Sequence, residues 1–128
     1  MIKKCIGSGQ VRFQCLDVCL EDLNDLGTFD LVLALGFFHH LSDPEFESVL
    51  KKIQTVLRPG GRIVSFDACY FEGQNMFSRW FVAMDRGEYV RPFGRYAEIA
   101  RGVFPEVNTA LWTSALRVPY AHCVMEIK

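Results

Sequence analysis

The sequence predicts an α/β fold in which parallel strands are followed by an antiparallel C-terminal pair, with helices on the faces of the sheet. Three observations predict it. The strand-like runs FDLVLAL at 29–35 and RIVSF at 62–66 flank a helix-like segment with short connections, the strand–helix–strand unit of a parallel sheet. The first run is almost continuously apolar, as expected of a strand buried on both faces. Two β-rich tracts, 107–116 and 121–127, close the chain on either side of a turn marked by Pro119.

Before these elements, 11–16 reads as a strand that ends at Asp17-Val18. Residues 20–26 read as a short helix closed by Gly27, a residue suited to a helix C-terminus. The best-signalled helix follows 29–35. Ser42 and Glu45 have capping-box spacing, and Pro44 falls in the first turn, where a missing N–H costs little. Phe46, Val49, Leu50, Ile53, Val56 and Leu57 then recur on one helical face. Pro59-Gly60-Gly61 stops that helix, and the strand at 62–66 runs to Asp67. A helix over 76–84 is broken by Asp85-Arg86-Gly87, with Phe77, Trp80 and Phe81 as its packing stripe. Tyr96, Ile99, Ala100, Val103 and Phe104 mark another helix, which ends near Pro105.

Length and composition narrow the function. The 128 residues, half hydrophobic and 13% aromatic, suffice for one packed core, so residues 1–128 read as a single domain. Fourteen basic residues against 15 acidic ones, without a long run of either, give no electrostatic footprint for nucleic acid. No apolar stretch approaches the roughly 20 residues of a membrane span, and the start lacks the pattern of a secretory leader. Five cysteines without a C-x-x-C pair read as scattered small hydrophobes, including Cys15 and Cys19 at a spacing of four. A cytoplasmic protein without a metal is the resulting expectation.

Three segments in order carry a resemblance: VRFQCLDV at 11–18, FDLVLALGFFHHLSDPE at 29–45 and LRPGGRIVSFD at 57–67. Together they resemble the class I S-adenosylmethionine (SAM) dependent methyltransferases, and the later EGQ, MDRG and VPYAH segments are similar to small bacterial members. The resemblance implies a Rossmann-like sheet whose last strand is antiparallel and inserted between the fifth and sixth. It makes the three segments strands three, four and five, and the final tracts strands six and seven. By that comparison the chain is truncated, lacking the glycine-rich SAM turn and the first two strands. Ile6-Gly7-Ser8-Gly9 looks like that turn but lacks the helix and strand that should follow before residue 11.

The resemblance also assigns candidate residues. In the intact family fold Asp17 would accept from the adenine amine of SAM and the Val18 N–H would serve a ring nitrogen, while in a truncated chain Asp17 reads as a cap for 20–26. The backbone at Ala34, Leu35 and Gly36 would face the methionine part of the cofactor, beyond the carboxyl ends of the strands. Adjacent side chains point apart, so His39 and His40 are poor metal ligands. One of them, or Tyr70, is a candidate general base, and a structural role is open for both histidines. Asp67, Tyr70, Gln74 and Arg86 are candidates to meet the methyl acceptor, while Asp85, Arg86 and Arg91 also read as a surface salt-bridge network. Asp30 reads as a local structural acid.

Two functions follow as expectations. One is SAM-dependent methyl transfer to a small-molecule acceptor, with cofactor binding weakened by the missing turn. The other is a non-catalytic remnant that oligomerises or binds a small ligand. Without its neighbour, the apolar run 29–35 becomes a sheet edge open to pairing. That predicts a homodimer or swapped homo-oligomer, or a remodelled sheet in which 11–16 pairs with 29–35.

Overall fold

The computed structural model describes residues 11–128. Cys5 and the turn at 6–9 lie outside the described residues. The elements in order are β1 (Phe29–Leu35), α1 (Asp43–Val56), β2 (Leu57–Tyr70), α2 (Met76–Ala83), β3 (Arg91–Pro92), α3 (Phe93–Arg101), β4 (Val107–Trp112) and β5 (His122–Ile127). Among the described residues no helix is long and apolar enough to cross a membrane.

Helix α1 forms where its signals lie. Glu45 Oε2 accepts from both the Ser42 N–H (2.8 Å) and the Ser42 hydroxyl (2.6 Å), closing the first turn. Phe46, Val49, Leu50, Ile53 and Val56 are its buried face. Strand β2 outruns its predicted length at both ends, because the Pro-Gly-Gly segment continues the ladder through an irregularity in the β1–β2 register.

The main sheet has the order β1-β2-β5-β4, with β1 and β2 parallel and β5 antiparallel to both of its neighbours. The last strand is therefore inserted beside β2, in the order the resemblance implies. The short β3 adds a parallel contact to the end of β2 at Cys69 and Tyr70.

Register assigns the two faces, because side chains alternate along each strand. Val32, Ala34, Ile63, Ser65, Asp67, Met125 and Ile127 share the face packed on α1 and α3, where the core lies. Leu31, Leu33, Leu35, Val64, Phe66, Val124, Ala110 and Trp112 share the opposite face. There Leu31, Leu33, Leu35 and Trp112 are 45%, 58%, 64% and 52% exposed.

These observations correct several expectations. Strand β1 is covered on one face only, since no described helix lies over the other. Residues 11–16 form no strand, only an isolated bridge at Phe13, and the extended pairing of 11–16 with 29–35 is not made. Residues 20–26 supply a 3₁₀ turn, Asn24–Leu26, instead of a helix. Here Asp17 and Asp22 accept from the N–H groups two residues on, at 2.9 and 3.0 Å, which favours turns over helix. Met76, Phe77, Trp80 and Met84 of the α2 region are more than half exposed and do not form a packing stripe. Cys69 and Cys123 are buried, but Cys15 is exposed and Cys19 only half-buried.

Candidate functional site

The carboxyl ends of β1 and β2 carry the polar chemistry of the molecule. At the end of β1 the chain turns at Gly36, whose φ of +60° suits a residue without a side chain. Its N–H donates to the Phe66 carbonyl at 2.7 Å, holding the turn against β2. A 3₁₀ turn, Phe38–His40, follows and sends the two histidines different ways. Phe38 and His39 go inward, while His40 stays exposed with its ring centroid 4.2 Å from that of His39.

His39 is 5% exposed and lies between two carboxylates. Its Nδ1 is 2.9 Å from Asp67 Oδ1, and its backbone N–H donates to the same oxygen at 3.1 Å. Its Nε2 is 3.1 Å from Asp85 Oδ1. A carboxylate only accepts, so making both ring bonds together requires both ring nitrogens to be protonated. Burial alone would lower the His39 pKa, but the bond to Asp67 and the charges of Asp67 and Asp85 raise it above the ordinary histidine value. Asp85 is held below the usual carboxylate range: burial opposes this, and the Tyr120 hydroxyl, the Gly87 N–H and the two histidines outweigh it. Tyr120 donates its hydroxyl to Asp85 Oδ2, and burial together with that carboxylate pushes its own pKa up. Asp67 is 1% exposed, and its Oδ2 has no protein partner among the described residues.

The segment after α2 is folded around this ring. Gly87 packs so closely that a Cβ there would lie 2.0 Å from His39 Cδ2 and 2.9 Å from the His39 carbonyl oxygen. The Tyr89 N–H donates to that carbonyl at 2.9 Å. Arg91, 5% exposed, donates from Nε to Asp43 (2.7 Å) and from Nη1 to the carbonyls of Phe38 (3.0 Å) and Tyr89 (3.1 Å). Its Nη2 donates to the Leu41 carbonyl. Arg91 is thus a buried clamp and Asp85 faces His39, so the expected surface salt-bridge network does not form. On β5, His122 stacks on Phe66 with centroids 4.0 Å apart, and burial lowers its pKa.

The structure brings some of the candidates together. His39, His40 and Asp67 share one neighbourhood with Asp85, and Tyr70 lies near Tyr120. Val18, Ala34 and Leu35 line one apolar groove of about 510 Å³, together with Leu16, Leu23 and Phe37. Asp17 is exposed, with one carboxylate oxygen committed to the Cys19 N–H. Gln74 is buried in the turn ahead of α2, accepting from the Phe71 N–H and donating to Ser78 Oγ. Arg86 is exposed beside Asp85, and Asp30 pairs with Arg58 at 2.6 Å on the surface. Sequence reasoning missed Tyr120 and the inward role of Asp85. Their only signal is the MDRG and VPYAH segments, whose meeting with His39 is a long-range event.

Comparison with known proteins bears on the family and the fold. The family model for a methyltransferase domain matches residues 3–63. An uncharacterized methyltransferase of Anoxybacillus flavithermus is 43% identical over 42 residues, covering 33% of this chain and 20% of that protein. Among solved structures, the SAM-dependent methyltransferase SibL in its apo form matches 94% of this chain and 36% of its own, at a TM-score of 0.73 and 18% identity. Human N-acetylserotonin methyltransferase in complex with SAM matches 96% of this chain and 35% of its own, at a TM-score of 0.69 and 16% identity. This chain thus spans about a fifth of the curated relative and about a third of the solved ones. Over residues 3–63 the chain is thus similar in sequence to a methyltransferase domain, and over most of its length it shares the fold of SAM-dependent methyltransferases.

Proposed function

We propose that this chain carries the acceptor side of SAM-dependent methyl transfer to a small molecule. The observation that supports this most is the meeting of the Gly36 turn and the histidine–carboxylate cluster at the carboxyl ends of β1 and β2, where open α/β sheets hold their ligands. The described residues fit one end of SAM. The groove at Val18, Ala34 and Leu35 suits a flat aromatic base, and Asp17 beside it offers a carboxylate for an exocyclic amine. Among the described residues the groove lining offers no charged group for the amino-acid end or the ribose, so these residues alone hold the cofactor weakly.

When bound, SAM supplies a methyl group on a sulfonium. The chain's own residues then have to orient the acceptor and take its proton where the acceptor is weakly acidic. His40, exposed at the mouth, is the imidazole with access to such a proton. His39 has both nitrogens committed to carboxylates and acts as framework. Nuclear magnetic resonance with S-adenosylhomocysteine tests the reading. Amide shifts at Val18, Ala34, Leu35 and Gly36 should appear at millimolar ligand. No shift at any of the four would remove this chain from cofactor binding.

A second reading, an oligomerising remnant, is favoured by the exposed leucines of β1. It predicts concentration-dependent self-association in sedimentation. That association should weaken when Leu33→Lys places a charge on the open face. A strictly monomeric chain at every concentration would rule it out.

A further inference from the structure

The segment at 84–90 has no helix or strand of its own, and its contacts gather around one residue, His39. Four parts of the fold converge on His39. The turn after β1 carries it, with His40 beside it. Strand β2 supplies Asp67, the segment after α2 supplies Asp85, and the approach to β5 supplies Tyr120 behind Asp85, with His122 nearby. Arg91, at β3, binds the Phe38 and Tyr89 carbonyls on either side of the same contact. Gly87 lies against the ring, the Tyr89 N–H donates to the His39 carbonyl and Val90 packs on the core, so His39 meets the middle of the segment.

We propose that the doubly protonated His39 ring is a pH-dependent clasp, holding 84–90 across the carboxyl ends of β1 and β2 and releasing it when the ring loses a proton. Both ring nitrogens face carboxylates, so a neutral imidazole sets one lone pair against an acceptor oxygen. The bond that yields is the one to Asp85. Asp67 is fixed on a central strand, has a fully buried side chain and is held a second time by the His39 N–H. The Asp85 side chain is 22% exposed on a segment without regular structure, and water can replace the ring as its partner. Release would uncover the His39 Nε2 and the strand ends together, so access to that region is open at higher pH and closed at lower pH.

The sign follows from linkage. A histidine whose folded pKa lies above its unfolded value holds its contacts fully below the unfolded value and loses them as pH rises through the folded one. The raised pKa of His39 therefore places release at a pH above the ordinary histidine value. This inference stands independently of methyl transfer, and its test needs no cofactor or acceptor.

The test is amide hydrogen exchange on the full chain across pH, corrected for intrinsic rates, alongside histidine titration by nuclear magnetic resonance. Protection at Tyr89 should fall at least tenfold as pH passes the His39 titration, while the central amides of β5 keep theirs. Asp85→Asn should move the His39 titration down and leave Tyr89 weakly protected at every pH. Tyr120→Phe, which keeps the carboxylate, should leave the pH dependence in place. Parallel loss at Tyr89 and β5, or a His39 titration unmoved by Asp85→Asn, would overturn the clasp.

Discussion

Replacing Arg91 with alanine is expected to cost the fold about 3–5 kcal/mol, the range for removing one partner of a buried charged network. Urea denaturation would measure it. The guanidinium is 5% exposed and satisfies the carbonyls of Phe38, Leu41 and Tyr89 as well as Asp43. Asp43 is not the main loser, because its side chain is 43% exposed and keeps Arg95 at 2.7 Å. The cost falls mainly on the carbonyls of Phe38 and Leu41, whose bonds to Arg91 are buried. Lysine should recover less than half of it, since a point charge cannot span three carbonyls and a carboxylate in a planar fork. Bonds from Arg95 and then Arg91 hold the Asp43 carboxyl below its ordinary value. The contribution of that pairing is present above the ordinary aspartate range, and it is lost only as pH falls through the depressed value.

Phe46→Ala should cost a similar amount, about 3–5 kcal/mol, for a different reason. The ring is fully buried, 4.3 Å between centroids from Phe38 and 6.2 Å from Tyr96, and the Arg91 guanidinium carbon sits 5.3 Å above it. Truncation leaves a cavity where α1, α3 and the turn after β1 meet. Because Arg91 lies over the ring, the two substitutions share a partner. The double variant should lose less than the sum of the singles, with a coupling of about 0.5–3 kcal/mol in a double-mutant cycle. Strict additivity would show that the ring and the guanidinium do not stabilise one another.

Helix α1 was legible because its signals are local: a capping pair three residues apart, a proline in the first turn and an apolar stripe of period 3.6. Strands β1, β2 and β5 were legible for the same reason, from runs of apolar residues bounded by turns. Residues 11–16 carry a strand-like pattern too, but a strand needs a neighbour, and among the described residues β1 takes its ladder from β2 alone. Residues 20–26 failed as a helix because they are few, and because Asp17 and Asp22 bond their own backbone.

The site divides in the same way. That a histidine would matter after β1 was readable, but which of His39 and His40 turns inward was not. Adjacent positions differ only by the rotation of a 3₁₀ turn, and packing decides that rotation. Asp85 and Tyr120 lie 46 and 81 positions from His39 in the chain, so their convergence is a product of topology. No spacing rule reaches that far. Arg91 looked like a surface charge because nothing local marks the carbonyls that surround it.

The open sheet face has a consequence for how the stability of this chain should be expressed. A surface centred on Leu33, Phe66 and Val124, over which no described helix lies, gains by leaving water. Any molecule that seats there and ignores the unfolded chain raises the unfolding free energy by mass action. At a hundredfold excess over its dissociation constant the gain is about 2.7 kcal/mol. Under such conditions the melting temperature belongs to the mixture, and it rises with the concentration of whatever covers the face.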